Sequence, residues 1–291
     1  MFATPYQDAS EFLARTQKTL EANEAANSLM LGICLQLKRW AETGAPPPYP
    51  TTSPPYLTTV EDARGLVMAA VMTPPHKIVV HGDRQELGNA PELIVSDLIA
   101  NDWPVPGVLG PTRAARALAR TRARISGKAY GEGMRQRVYE LKEVMPPQAI
   151  PGRLRVAVED DVALISEWIY GFMQDAFTAG ERAKAHELAQ SRVDDGAIYV
   201  WEDGKPVSMA AKARPTSNGI TVNLVYTPPE LRRRGYATAC VAGLSQLLLD
   251  SGWKFCALFT DLSNPTSNHI YQRIGYRPVC DFNEFIFGAA Q

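Results

Sequence analysis

The sequence has 291 residues, 45% of them hydrophobic and 21% charged, which is the profile of an ordinary globular protein with apolar material for two cores. Thirty basic residues balance 31 acidic ones, and the net charge of -1 argues against a generally basic nucleic-acid binder. No apolar run approaches the roughly 18 residues that span a bilayer, and the chain does not open like a signal peptide. The four cysteines form no CxxC pair. We therefore expect a cytoplasmic protein with reduced thiols, no bound metal ion and no membrane partner.

The first third of the chain alternates predicted helices and strands. Apolar residues at helical spacing predict one helix over residues 8 to 42. The proline-rich stretch at 46 to 56 ends it and is typical of a connector, with a PxxP-type ligand as the alternative. Strands are predicted at 66 to 72 and at 77 to 82, and a further helix within residues 86 to 103.

Residues 111 to 126 predict an amphipathic helix that carries a row of arginines, namely Arg113, Arg116, Arg120 and Arg124. Between residues 113 and 142 there are nine basic residues and two acidic ones. One interpretation is a site for a polyanion, either a nucleic acid or the phosphates of a cofactor. The other is a solvated helix face neutralised by its neighbours, which the lack of interleaved aromatic residues favours.

A second domain is predicted to begin after the prolines of residues 143 to 151, giving domains at 1–148 and 149–291. Its elements alternate in a mixed α/β (α+β) pattern of about 140 residues. The predicted strands are 153–158, 197–203, 206–213, 221–226, 254–260 and 278–287, and the predicted helices are 161–176, 180–193, 235–251 and 265–274.

The stretch from residue 222 to 252 carries the first chemical motif. A predicted strand ends at Tyr226, a Pro-Pro turn follows, and Arg232-x-x-Gly235-x-Ala237 opens a helix. A helix N-terminus offers unpaired N–H groups and partial positive charge, and Gly235 lets the backbone come close to a phosphate. The pattern predicts a phosphate-binding loop, with an ordinary helix start as the alternative for this motif alone.

The second motif runs from Asn264 to Tyr276. Asn264 is expected to cap a helix with Pro265 in its first position, and Gly275 to end it. One face of that helix presents, at spacings i, i+3, i+4 and i+7, Asn264, Ser267, Asn268 and Tyr271. Taken alone, Tyr271 could be a core tyrosine with a satisfied hydroxyl; together with the phosphate-binding loop, a ligand-facing role is favoured.

The two motifs, in this order and separated by the strand at 254–260, resemble those of the GNAT superfamily of acetyl-CoA-dependent N-acetyltransferases. Arg232 to Ala237 is similar to the family's Gln/Arg-x-x-Gly-x-Gly/Ala pyrophosphate loop. Residues 264–276 are similar to its Asn-to-Tyr helix motif, with Tyr276 in place of the common Phe. The resemblance covers about residues 153 to 287 and implies a GNAT-like acyl-CoA N-acyltransferase fold.

The resemblance also implies roles for particular residues. The end of the strand before the loop is expected to bind the pantetheine of acetyl-CoA through its backbone, and the loop and first helical turn to hold the pyrophosphate. Tyr271 is the implied catalytic residue, protonating the departing thiolate. The implied cofactor-binding residues are Val225, Tyr226, Thr227, Arg232, Arg233, Arg234, Gly235, Tyr236, Ala237, Thr238, Asn264 and Ser267.

The sequence departs from the family pattern at the general base. Many relatives carry a glutamate near the loop, whereas the candidate positions here are Asn223 and Phe259. Deprotonation of the amine is left open between Asp281 or Glu284, Glu167, water, and an amine that arrives neutral.

The first half has strands in a rough GNAT order but neither motif. It is similar to the degenerate half of a tandem GNAT protein and is expected to be non-catalytic. The resemblance thus implies a transferase that moves an acetyl (acyl) group from acetyl-CoA to a primary amine of a small molecule or peptide by direct attack. The alternatives are a non-catalytic CoA-binding regulatory module and a polyanion-binding protein using the Arg113–Arg124 helix.

Overall fold

The computed structural model describes residues 1–44, 53–177 and 180–288. The proline-rich connector predicted at 46 to 56 lies mostly outside these residues. The chain divides into two compact units: unit 1 comprises residues 1–138, 260–263 and 278–291, and unit 2 comprises 139–259 and 264–277. Each unit is built from separate stretches of the sequence. The units therefore differ in their boundaries from the predicted domains 1–148 and 149–291, which stay a prediction.

The described residues contain twelve strands and eight helices. The strands are β1 (Phe2–Pro5), β2 (Tyr56–Asp62), β3 (Gly65–Met72), β4 (Ile78–His81), β5 (Gly107–Pro111), β6 (Tyr130–Leu141), β7 (Arg153–Val156), β8 (Ile198–Asp203), β9 (Lys205–Ala213), β10 (Gly219–Tyr226), β11 (Phe255–Asp261) and β12 (Arg277–Phe287). The helices are α1 (Ala9–Glu21), α2 (Ser28–Thr43), α3 (Ala90–Ala100), α4 (Thr112–Ser126), α5 (Val162–Phe177), α6 (Arg182–Asp194), α7 (Tyr236–Asp250) and α8 (Pro265–Ile274). None of these helices is both long and apolar enough to cross a membrane.

Unit 1 is built on a mixed sheet in the order β1-β2-β3-β4-β5-β12-β6, with residues 130–138 as the part of β6 in this unit. Strands β4 and β5 are parallel, and β12 pairs antiparallel with β5 through contacts such as Phe285 opposite Val108. Phe285 is buried in the same core as Met68, Ile94 and Leu118. The last strand of the chain therefore completes the core of unit 1 rather than of unit 2.

The single helix predicted over residues 8 to 42 is wrong, because the chain turns between α1 and α2. The turn is held by Asn27, whose side-chain N–H group donates to the carbonyl oxygens of Leu20, at 2.9 Å, and Asn23, at 3.0 Å. Both carbonyls also accept a backbone N–H group, from Asn23 and Asn27 respectively, so the side chain of Asn27 adds a second hydrogen bond to each. An asparagine side chain thus stabilises the break that apolar periodicity does not reveal.

The amide of Asn27 also fixes the state of a buried histidine. Since its N–H group donates to carbonyls, its Oδ1 must accept, and His81 Nδ1 donates to it at 2.8 Å. His81 is only 4% exposed. Burial lowers the pKa of His81, and Asp83 opposes this only in part. We infer that His81 is neutral in the folded protein at neutral pH.

Acidification is expected to destabilise the protein through His81. Because the folded-state pKa lies below the ordinary value of about 6.5, the unfolded chain binds a proton first as pH falls. The free energy of unfolding should therefore drop below about pH 6.5, by at most about 1.4 kcal/mol per pH unit for one proton. Urea unfolding between pH 8 and pH 5 measures this. His81→Gln, which keeps an N–H donor but does not titrate, should flatten the profile; an unchanged profile would contradict the assignment.

Unit 2 is built on a sheet in the order β11-β10-β9-β8-β7. One face packs its core against α7 and α8, with Leu244 and Ile274 fully buried. The other face packs against α5 and α6, with Ile169 and Ala189 fully buried. The strands and helices predicted for residues 153 to 287 are all present, with ends that differ by one or two residues.

Candidate active site

Strands β10 and β11 part from each other in the middle of unit 2. Their parallel pairing covers three positions and ends at Thr221 opposite Ala257. Strand β10 nevertheless continues to Tyr226 and β11 continues beyond Ala257. From Val222 onward the backbone of β10 is no longer paired with β11, so groups on the edge facing this gap between the strands are open to a ligand, except the Tyr226 carbonyl, which accepts from Ser208.

A local distortion of β10 accompanies this gap. The register with β9 is interrupted between Asn223 and Tyr226, and Leu224 has a φ of +48°, which is unusual for a residue other than glycine. Leu224 and Tyr226 pack on the side of α5 and α6, whereas Val225 packs on the side of α7 and α8. The core beside α5 and α6 thus holds the strained Leu224, and the opposite core holds its neighbour Val225.

The predicted phosphate-binding loop follows directly from β10. Gly235, with a φ of +84°, precedes α7, and no side chain among the described residues caps that helix. The first helical hydrogen bond runs from the Ala239 N–H to the Gly235 carbonyl, at 3.0 Å. The N–H groups of residues 236 to 238 therefore have no acceptor within the helix. Such an exposed, uncapped helix start is a suitable anion site.

The side chains of residues 232 to 238 differ in their contacts and exposure. Arg232 donates to the Thr227 carbonyl, at 3.0 Å, and to Asp175, at 2.6 Å. Arg234 donates to the carbonyl of Glu230 at 3.2 Å, and Arg233 is exposed with a φ of +64°. The Tyr236 hydroxyl donates to Asp203 at 2.8 Å. Ala237 and Thr238 are half-buried in the first turn of α7.

Two hydroxyl groups hold the end of β10. Ser208 Oγ donates to the carbonyl of Tyr226 at 3.0 Å and lies 2.9 Å from Thr227 Oγ1. Because the serine proton is used on the carbonyl, the threonine hydroxyl is the donor between the two side chains. Ser208 is fully buried, so this contact fixes the strand end from inside the core.

The second motif forms α8 as predicted. Asn264 accepts a hydrogen bond from the Ser267 N–H at 3.0 Å, Pro265 is the first helical residue, and Gly275 ends the helix with a φ of +110°. Asn268 Oδ1 accepts from the hydroxyl of Tyr139 at 3.0 Å. Asn264 is therefore confirmed as the cap, and its carbonyl oxygen Oδ1 is already used for that purpose.

Tyr271 lies on the buried side of α8. It is 7% exposed, packs in the same core as Val225, and its ring meets that of Tyr276 edge-on at 6.0 Å. Burial raises the pKa of Tyr271 to about 12, and a hydrogen bond with Ser267 opposes the shift. The phenol is consequently protonated at neutral pH, which a proton donor requires.

No carboxylate stands at the predicted base positions on β10 and β11. Asn223 Oδ1 is buried and has no hydrogen-bond partner in the described part of the chain. Asp281 pairs with Arg137 at 2.7 Å, and Glu284 pairs with Lys77; both belong to unit 1. Glu167 on α5 is paired with Arg182. Each acidic candidate is thus engaged by a cation, which occupies its carboxylate oxygens.

The row of arginines on α4 has partners within unit 1. Arg113 donates to the Asp83 carbonyl at 2.6 Å, Arg116 lies 3.4 Å from Glu132, and Arg124 lies 2.8 Å from Glu92. Two of the four arginines are thus paired with a carboxylate and a third with a neutral carbonyl. The solvated-face interpretation fits these contacts, and the polyanion interpretation gains no support.

Most of unit 2, including its strand-loop-helix segment, matches a protein-family model. Residues 163–276 match the model described as "Acetyltransferase (GNAT) family", so this part of the chain is a GNAT domain and the predicted resemblance is confirmed. No curated protein matches the sequence significantly. A family of acetyltransferases supports acyl transfer as the general chemistry.

Solved structures similar to nearly the whole chain carry the same fold. A GCN5-related N-acetyltransferase from Sphaerobacter thermophilus has a TM-score of 0.60 at 16% identity and covers 99% of this chain and 96% of that chain. A GNAT-family acetyltransferase from Colwellia psychrerythraea has a TM-score of 0.58 at 10% identity, covering 99% and 100%. A tandem GNAT protein from the clavulanic acid biosynthesis pathway has a TM-score of 0.55 at 11% identity, covering 100% and 99%. The predicted mixed α/β tandem GNAT fold is thereby confirmed.

Three contributors to the site were not predicted from the sequence. Leu224 gives no signal, because leucine rarely adopts a positive φ. Ser208 reads as an ordinary strand residue until Thr227 lies beside it. Asp175 is one of two acidic residues on α5, and only the fold brings it to Arg232.

Proposed function

We propose that the chain is an N-acetyltransferase that transfers an acetyl (acyl) group from acetyl-CoA to a primary amine of a small molecule or peptide by direct attack, in the cytoplasm. The observation that carries the proposal is the parting of β10 from β11 after Thr221 and Ala257, directly followed by the uncapped start of α7. The gap suits an extended ligand that pairs with a strand, and the helix start suits its anionic end.

The residues around the gap fit acetyl-CoA, which supplies an activated thioester. The backbone of Val225, Tyr226 and Thr227 would pair with the pantetheine arm. Residues 233–238 would hold the pyrophosphate with helix-start N–H groups and with the exposed guanidinium of Arg233. Backbone N–H groups at the distorted part of β10 are suited to stabilise the oxyanion that develops on the thioester carbonyl.

Direct attack by the amine is favoured over a cysteine-bound acyl intermediate. Cys240 and Cys256 lie in the core of unit 2 and are fully buried. Burial raises the pKa of each thiol to about 12, so neither forms a thiolate nucleophile at neutral pH. The amine itself is then the nucleophile, with Tyr271 holding the proton that the leaving thiolate takes.

Acetyl-CoA binding and turnover test the proposal together. Calorimetric titration of the full chain is expected to give one acetyl-CoA per chain, because only unit 2 carries both motifs. Incubation with a panel of primary amines should release free CoA thiol and form an N-acetyl product detectable by mass spectrometry. If acetyl-CoA binds but none of the amines gives a product, the chain is better explained as a non-catalytic CoA-binding module. If two equivalent acetyl-CoA sites are found, the first half of the chain is not degenerate.

A further inference from the structure

The side chain of Arg232 contacts the end of β10 and α5. Its Nε donates to the carbonyl of Thr227 at 3.0 Å, and its terminal nitrogen donates to Asp175 on α5 at 2.6 Å. The guanidinium carbon also lies 5.7 Å from the centre of the Tyr226 ring. All three contacts join the loop to the end of β10 and to α5, rather than to the site expected for a phosphate.

A second contact joins α5 to the end of β10. A Cβ atom added at Gly171 on α5 would lie 2.4 Å from the hydroxyl oxygen of Tyr226, so the phenol rests directly on the helix backbone. Gly171 and Asp175 are four residues apart and therefore lie on one face of α5, one turn from each other. That face is attached to β10 by a packing contact through Tyr226 and to the loop by an ion pair through Arg232.

The two faces of the sheet have different roles in the proposed reaction. The pyrophosphate site lies at the start of α7, on the face where Val225 packs, whereas Leu224 and Tyr226 pack on the face of α5. An amine that attacks the thioester directly must approach from the side that the CoA chain leaves free. Both α5 and α6 pack on that face, and α5 is the helix whose Gly171 approaches Tyr226 at the end of β10. We therefore place the acceptor side of the gap next to α5.

We propose that Arg232 is a positioning residue, which acts through Asp175 to couple the acyl-CoA loop to α5 and thereby orients the acceptor amine. This inference rests on the proposed function. It assigns to Arg232 a role different from that of a phosphate ligand. The side chain of Arg232 is 43% exposed and that of Asp175 is 54% exposed. An ion pair with this exposure contributes little to the stability of the fold. Loss of the pair is therefore expected to change kinetics and coupling while the melting temperature stays the same.

The test compares Asp175→Asn with the full-length wild type. The substitution keeps the shape of the side chain and removes the charge that holds Arg232. We expect KM for the acceptor amine to rise by about tenfold, with the Kd for acetyl-CoA and the melting temperature unchanged. Asp175→Glu keeps the charge, so its KM for the acceptor amine should be close to that of the wild type. Asp194→Asn, which changes an exposed carboxylate on α6 whose partner is Gln190, is the matched control and should behave as wild type.

Hydrogen exchange supplies a readout that does not depend on turnover. Binding of acetyl-CoA should slow exchange in the peptide covering residues 162–176 of the wild type and of Asp194→Asn, and this protection should be lost in Asp175→Asn. If Arg232→Gln weakens acetyl-CoA binding while Asp175→Asn changes neither KM nor exchange, Arg232 is a direct phosphate ligand and the coupling is overturned. A wild-type chain that binds no acetyl-CoA would instead overturn the proposed function itself, and the calorimetric titration separates the two failures.

Discussion

Valine in place of Gly235 is expected to weaken acetyl-CoA binding by about a hundredfold or more while the fold persists. Gly235 has a φ of +84°, where a β-branched residue is strained by about 1–3 kcal/mol. Among the described residues, a Cβ atom there would meet only Ile150, at an ordinary 3.4 Å, so the protein around it is not overpacked. Relief of the strain should instead move the loop and misdirect the N–H groups of residues 236 to 238. Calorimetric titration measures the loss.

The control for this experiment is Gly252→Val at the other end of α7. Gly252 also has a positive φ, of +104°, and a Cβ atom added there would have no atom of the described residues within 4 Å. The substitution therefore imposes comparable backbone strain away from the loop. We expect the two variants to lose similar stability and only Gly235→Val to lose affinity. Equal acetyl-CoA affinity of both variants would refute the placement of the pyrophosphate.

The parts of the site that follow from short-range rules could be predicted from the sequence. Asn264 and Gly275 act as cap and stop through contacts within a few residues, and so their roles are legible in the local pattern. Gly235 is recognisable for the same reason. The role of Arg232 is not, because its partner Asp175 is 57 residues away along the chain and three consecutive arginines look equivalent in the sequence.

The strands of the first half show where sequence patterns fail. Strand β2 contains Thr58 and Thr59, which are both buried, so burial there does not follow hydrophobicity. Strand β6 begins with alternating glycine and polar residues, and part of its backbone is satisfied by a side chain, since Glu284 accepts from the Met134 N–H at 2.9 Å. Neither strand shows the apolar alternation from which strands are predicted. Strand β12 likewise belongs to unit 1 because it pairs with β5, which is distant from it in the sequence.

Removing only the hydroxyl of Tyr271 is expected to lower turnover by about 10²–10⁴, the range for a positioned proton donor. Tyr271→Phe keeps the ring that packs against Tyr276, and the affinity for acetyl-CoA should hardly change. The raised pKa of about 12 keeps the phenol protonated below about pH 11, so no loss of the acid form is expected over the usual assay range. Steady-state rates with an accepted amine measure the effect.

Tyr276→Phe is the control that separates proton donation from packing. Its hydroxyl lies 2.9 Å from Ser245 Oγ in the same core, and it is 2% exposed, so it has the burial of Tyr271 without the predicted role. Loss of this bond should cost about 1 kcal/mol of stability and leave turnover nearly normal. If Tyr271 is a core tyrosine whose hydroxyl is merely satisfied by Ser267, its phenylalanine variant will behave in the same way. A rate for Tyr271→Phe close to that of Tyr276→Phe would therefore exclude Tyr271 as the acid, because each variant removes one buried hydroxyl from the same core and only Tyr271 is proposed to donate a proton.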